Sequence, residues 1–212
     1  MYLPRHFEQH DPAALAALMR EHPLATLVTV QGGEPTADHI PLEYDEAARA
    51  LRGHVARANP LWQAAAGQPV LAIFRGAQAY VSPSFYPGKA ENHKVVPTWN
   101  YAVVHAHGRL RAIESAPWLH ELVSRLTARH EAPRAQPWAV SDAPEDYVQQ
   151  MLRAIVGIEI PVERLLGKWK ISQNRNEADR AGVAIGLAAG NADARAMAAL
   201  VGNWKPAQKE TP

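Results

Sequence analysis

Four stretches of the chain carry residue types that could do chemistry. The first is Arg57-Ala58-Asn59-Pro60, between a strand-like run, LRGHVAR, and a short apolar helix pattern, LWQAAA. Asn before Pro is a helix start, where free backbone N–H groups and a positive dipole end are presented. Arg57 beside it would add a fork of charged donors suited to a phosphate monoester. An ordinary Asn cap with a surface arginine would look the same. The second stretch is Asp38-His39-Ile40-Pro41-Leu42. Pro41 cannot donate to a sheet ladder, so the strand is interrupted or lies at an edge there, leaving backbone groups for a planar heterocycle. A histidine flanked by apolar residues is otherwise a packing residue.

The third stretch holds His105 and His107, two apart and therefore on one face of a strand. Such a pair could ligate a metal or approach a haem iron. No neighbouring carboxylate completes a metal-ligand pattern, and a polar strand face is the plainer reading. The fourth is GKWKISQNR, residues 167–175, with Lys168 and Lys170 on one strand face and Trp169 on the other. Basic residues around an aromatic could touch nucleic acid or close over a cofactor phosphate. The run is too short to be a DNA-binding element by itself. The chain has no helix-turn-helix or zinc-finger pattern, no Walker loop and no GxGxxG fingerprint.

These stretches need a scaffold. The longest interruption in it is Tyr80–Tyr101, YVSPSFYPGKAENHKVVPTWNY, which opens and closes as strand but holds Pro83, Pro87, Gly88 and Pro97. Its aromatic content argues for an ordered loop that walls a site. A helix is expected from Asp11-Pro12 to His22, then strands over 25–30, 36–44 and 51–57. A hairpin around Gly76 joins 69–75 to 78–83, and a long strand covers 99–114, with a bend at Gly108. Helices follow over 115–130 and 144–153, then strands over 154–161 and 165–172. Two Ala-rich helices lie between Asn174 and Val201, broken near Gly190-Asn191. Many short antiparallel strands with inserted helices suggest a closed barrel, and the lack of strand–helix alternation argues against a doubly wound sheet.

The 212 residues suit one domain with a small appendage, and 47% hydrophobic content can fill a core. A net charge of +1 gives no global attraction to nucleic acid or anionic membrane. Zero cysteines excludes disulfides and thiolate metal sites and fits a cytoplasmic protein. No apolar run reaches membrane-span length, and MYLPRHFEQHD is too polar for a signal peptide. Lys205–Pro212, KPAQKETP, reads as a polar tail.

The four stretches, with MYLPRHF, ATLVTV and its GGEP turn, GHVARANPLW, YVSPSFYPGK, VPTWNY, IVGIEI and GKWKISQNRNEADRAGV, resemble the PaiB-like family, described as FMN-binding negative transcriptional regulators. The likeness runs in order over nearly the whole chain. It implies a mainly β fold: an antiparallel split barrel of the flavin-reductase and pyridoxamine-phosphate-oxidase type, with peripheral helices and a helical C-terminus. It further implies a homodimer with FMN at the interface. Residues 1–175 would form the FMN-binding domain, and 176–212 a helical extension with a polar tail. By position, Arg57 and Asn59 would meet the phosphate and His39 and Ile40 the flavin ring. Trp99 and Asn100 would come from the partner subunit. Lys168, Gln173 and Arg175 are assigned to the cofactor by charge and position. Phe85 stands where many relatives are expected to carry an indole.

The resemblance leaves the activity open. A regulator and a flavin-dependent oxidoreductase need the same scaffold, because the cofactor carries the redox chemistry; no catalytic residue is read from the sequence. A haem-binding split barrel using His105 or His107 is the third reading. DNA enters as a partner through the family resemblance alone, since no motif here points to it.

Overall fold

The computed structural model describes residues 1–205, apart from the side chains of residues 91 and 92. All but the first residue of the expected polar tail lies outside that range. In chain order the strands are β1 (Glu8–Gln9), β2 (Leu24–Gln31), β3 (Glu34–Pro41), β4 (Glu43–Asp45), β5 (Ala50–Ala56), β6 (Pro69–Val81), β7 (Thr98–Arg109), β8 (Arg111–Ile113) and β9 (Ile155–Lys170). The helices are α1 (Pro12–Glu21), α2 (Leu61–Ala64), α3 (Lys89–Asn92), α4 (Ala116–Glu131), α5 (Glu145–Arg153), α6 (Glu177–Ala188) and α7 (Ala192–Asn203). The strands join in the order β3-β2-β6-β7-β9-β5-β4, with β1 and β8 also pairing on β9. This is the antiparallel sheet with peripheral helices and a helical C-terminus that the sequence led us to expect.

Four expected boundaries are corrected. The hairpin around Gly76 is one continuous strand, β6. Val70, Ala72 and Phe74 are buried, then Ala77, Ala79 and Val81, so the inward parity slips by one residue at Arg75-Gly76. The two strands expected over 154–172 are likewise one, β9. Conversely, the run 99–114 is broken at Leu110, whose backbone N–H donates to the Gln68 carbonyl while its own carbonyl accepts from Gly67 N–H. The 36–44 strand also breaks after Pro41, where Leu42 N–H turns to the Pro23 carbonyl at 2.8 Å.

The chain divides into two compact units, and β6, β7 and β9 pass through both. One unit comprises Ala16–Phe74 and His105–Leu165. Its core is built on β5 against β9, in register from Ala50↔Pro161 to Ala56↔Ile155, with Leu51, Ile158 and Ile160 fully buried. Gly53 sits where a Cβ would lie 2.7 Å from the Pro41 carbonyl, so only glycine lets β3 pass so close to β5. Helix α4, capped by Ser115, buries Leu119 and Leu122. Its Arg125 and Arg129 reach the buried Glu43 carboxylate at 2.6 and 2.7 Å, so both its oxygens are paired.

The other unit comprises Met1–Leu15, Arg75–Val104 and the chain from Leu166 on. Here the 80–101 loop carries two short helical turns, Pro83–Phe85 and Lys89–Asn92. Pro83–Phe85 form a 3-10 turn capped by Ser82, and Asp179 of α6 accepts from Gly88 N–H at 3.2 Å. A Cβ on Gly186 would be 2.3 Å from the Phe85 ring, so this α6 glycine makes the seat for that side chain. Helices α6 and α7 begin at Asn176 and Asn191, each accepting from the backbone N–H three residues on.

Two histidines set a pH limit. Nδ1 of His54 and Nε2 of His107 are buried without a hydrogen-bond partner, and burial pulls both imidazoles below the ordinary 6.5. A histidine whose folded pKa is depressed binds more protons when unfolded. Its contribution is therefore fully present above the unfolded value of about 6.5 and is lost as pH falls from there through the folded pKa. Denaturant midpoints should drop between pH 6.5 and 5, and His54→Gln should flatten that slope. A slope unchanged in the variant would show that other groups set it.

Candidate functional site

Each unit holds one group of the residues singled out by sequence. In the first unit, β3 is the edge strand, as Pro41 required. His39 pairs with Thr26 and is exposed, whereas Ile40 pairs with Ala25 and is buried. Alternation puts the two side chains on opposite faces, so a ligand on the outer face would meet His39 and only the backbone of Ile40. Asn59 accepts from Leu61 N–H at 2.9 Å and donates to the Asp38 carboxylate at 3.0 Å, which ties the turn before α2 to β3 beside His39. The N-cap expected at Asn59 falls instead on Pro60, which has no side-chain cap, and Asn59 makes a side-chain turn onto Leu61 N–H ahead of the four-residue helix.

Arg57 is engaged on all three guanidinium nitrogens. Nε donates to the Arg153 carbonyl at 2.8 Å and Nη2 to the Ile155 carbonyl at 3.2 Å. Nη1 pairs with Glu114 at 2.6 Å. Two carboxylates, Glu114 and Asp38, thus face this corner, and Arg57 carries a partner of opposite charge.

The second group differs in its charge balance. Lys168 is buried; its Nζ donates to the Tyr2 carbonyl at 3.0 Å and lies 5.3 Å from the Tyr101 ring centre. Lys170 donates to Thr98 Oγ1 and, at 2.6 Å, to the Trp99 carbonyl. Burial, reinforced by the charges of Lys168 and Arg175, pulls the Lys170 ammonium below its ordinary range. Arg175 lies over the Tyr86 ring at 5.0 Å. Among the described residues none of these three cations forms an ion pair with a carboxylate within 4.0 Å.

Asn100 is buried and donates to Ser172 Oγ at 3.0 Å. Ser172 adopts φ +67°, a left-handed conformation uncommon for a residue with a side chain. Gln173 folds back, accepting from Ile171 N–H and donating to the Trp169 carbonyl, so its amide holds the turn. Arg175 N–H donates to the Ser172 carbonyl at 3.0 Å. Around this turn lies a cleft of about 110 Å³ lined by Tyr86, Thr98, Asn100, Lys170, Ser172, Asn174 and Arg175, with Val96 and Pro97. Trp99 is more than half exposed and meets Tyr80 edge-on at 6.2 Å.

The structure thus brings Asn100 and Arg175 to one cleft, with Lys168 close enough to bias Lys170, and gives Gln173 the task of shaping the turn. Lys170, Ser172, Thr98 and Tyr86 belong to it and were not among the residues singled out for the cofactor. Lys170 was accessible through its shared strand face with Lys168. Ser172 was not, because no local pattern announces a left-handed serine.

The fold is the antiparallel split barrel. Two solved structures share it: the flavocytochrome Anf3 from Azotobacter vinelandii (TM-score 0.59, 16% identity, 85% of this chain and 78% of that one) and the FAD and heme binding protein from Mycobacterium smegmatis (TM-score 0.56, 17% identity, 77% and 73%). The family model described as "Putative FMN-binding domain" matches residues 1–164. Protease synthase and sporulation protein PAI 2 of Bacillus subtilis is 35% identical over 182 residues, covering 84% of this chain and 85% of its own. The chain belongs to this PaiB-like FMN-binding-domain family.

The buried Asn100–Ser172 bond holds the strained turn. Asn100→Ala should destabilise the protein by about 1–3 kcal/mol, the range for orphaning a buried polar partner. Urea unfolding measures it; a loss under about 0.5 kcal/mol would mean the turn is held by its backbone alone.

Proposed function

We propose that the protein binds FMN and that Lys168, Lys170 and Arg175 hold its phosphate. The observation that carries this is a polar cleft lined by Lys170 and Arg175, where burial first, and then the charges of Lys168 and Arg175, pull the Lys170 ammonium down. An anion there relieves like-charge repulsion, which an anion at Arg57 would not, because Glu114 already does so. The cleft's volume of about 110 Å³ admits a phosphate group and not a flavin ring system, so the ring lies outside it. Tyr80 and Trp99, exposed in the same unit, offer aromatic surface for that ring. Family membership supplies the nature of the cofactor, and the FAD and heme binding protein from Mycobacterium smegmatis, of the same fold, is a flavin binder by name.

Titrating FMN and riboflavin into the wild type, Lys170→Ala and Arg57→Ala, with flavin fluorescence as readout, tests the assignment. Lys170→Ala should weaken FMN by roughly tenfold to a hundredfold and leave riboflavin within about twofold, since a charge-assisted bond is worth on the order of 1.5–3 kcal/mol. A phosphate-specific loss in Arg57→Ala alone would move the phosphate to the β5–α2 corner. No flavin binding by the wild type would reject the FMN reading.

We also propose that the working form is a homodimer. Tyr80, Val96 and Trp99 are 49, 64 and 54% exposed within one unit, an aromatic and apolar surface that a second copy would cover. Light scattering should give about twice the 23.2 kDa chain mass, and Trp99→Glu should shift it toward one chain mass. A wild-type monomer at all concentrations would end this reading. Within that frame the protein acts either as a flavin-loaded regulator or as a flavin-dependent oxidoreductase. Oxidation of reduced nicotinamide with a quinone acceptor, measured on the FMN-loaded protein, separates them.

A further inference from the structure

The cleft at the end of β9 is tied across from β7 at two points. Lys170 Nζ donates to Thr98 Oγ1 and to the Trp99 carbonyl, and Asn100 donates to Ser172 Oγ at 3.0 Å. The Thr98 hydroxyl is thereby placed before any ligand arrives. An ammonium has three N–H donors, and Lys170 spends two of them on these bonds, leaving one. Thr98 Oγ1 accepts from a cation, which turns its own O–H away, and that hydrogen meets no acceptor among the described residues. Arg175, lying over the Tyr86 ring, adds its guanidinium to the same cleft. Acceptors around the cleft are by contrast consumed. The Ser172 carbonyl takes the Arg175 N–H, Ser172 Oγ takes the Asn100 amide, and the Trp99 carbonyl takes Lys170. Asn174 also lines the cleft, but its amide can donate or accept and does not discriminate.

Building on the phosphate assignment above, we propose that the cleft selects the terminal phosphate monoester of FMN over the phosphodiester of FAD, and that Thr98 is the specificity-determining residue. Lys170 and Arg175 take two of the terminal oxygens, and the Thr98 O–H donates to the third. A donor-only site of three groups fits a ligand with three acceptor oxygens and no hydrogen to give, which is an ionised phosphate monoester. A diester keeps two terminal oxygens and one charge on each phosphate, so the Thr98 hydrogen would lose its acceptor and one cation its counter-charge. It must also lead a second chain out of a cleft of about 110 Å³, which cannot enclose the adenosine half of FAD.

The test is calorimetric titration of FMN, FAD and riboflavin into wild type, Thr98→Val, Thr98→Ser and Lys170→Ala. Wild type should bind FMN at least about tenfold more tightly than FAD, the equivalent of one charge-assisted hydrogen bond. Thr98→Val keeps the side-chain shape and removes the hydroxyl. It should weaken FMN by about tenfold and leave FAD and riboflavin within about twofold, and Thr98→Ser should restore the preference. Equal affinity of the wild type for FMN and FAD, or an FMN preference that survives in folded Thr98→Val, overturns the proposal. If Lys170→Ala loses FMN while Thr98→Val does not, the phosphate lies in the cleft and only the role of Thr98 falls. If neither variant loses FMN, the phosphate assignment itself falls. The methyl phosphate ester of FMN tests the selection on wild type, independently of whether a variant folds. It should bind at least about tenfold more weakly than FMN, and equal binding overturns the proposal.

Discussion

The crowding of backbone against β9 governs what this chain can be. A Cβ on Gly108 would sit 2.2 Å from the Pro161 carbonyl, and one on Gly157 would sit 2.3 Å from the Trp118 ring. These are distances at which no side chain fits, so the sixteen-residue strand can lie against β5, β7, β8 and β1 only where its neighbours, or it, give up a side chain. The active corners follow from this. β5 ends at Ala56 because its ladder with β9 ends at Ile155, and Arg57 then turns its guanidinium onto the Arg153 and Ile155 carbonyls. At the other end, β9 gives out at Lys170, and the turn that follows shapes the polar cleft.

Arginines and lysines fall into two kinds here. Arg52, Arg57, Arg125 and Arg129 each meet carboxylates: Arg52 joins strands, and Arg125 and Arg129 tie α4 to Glu43 of β4. Lys168, Lys170 and Arg175 meet carbonyls, hydroxyls and aromatic faces instead. Hydrogen bonds of that sort satisfy donors without cancelling charge, so the local potential stays positive. A near-neutral chain can in this way carry a concentrated positive spot that its net charge does not reveal.

Much of the fold was legible in the sequence, because caps and periodicity are local. Asp11-Pro12, Ser115 and Asn191 mark helix starts, and Pro41 marks an interruption or an edge, both of which are found. What was not legible depends on partners distant in the chain. Gly76 reads as a turn in isolation, and only the neighbouring strands of the sheet make it a parity slip inside β6. Within the candidate sites, residue types pointed to both basic corners. They could not distinguish Arg57, neutralised by Glu114 fifty-seven positions away, from Arg175, which has no carboxylate partner among the described residues. The left-handed Ser172 is likewise set by Asn100, seventy-two positions distant.

The crowded ammonium of Lys170 has a consequence for calorimetry. Its proton is held weakly because burial and two neighbouring cations oppose the charge. A bound phosphate would reverse that opposition, so association at alkaline pH would draw protons from the medium. The heat of binding would then include the ionisation enthalpy of whatever buffer supplies them. Titrations in two buffers of unlike ionisation enthalpy would differ in apparent heat while agreeing in affinity, and the difference would count the protons taken up.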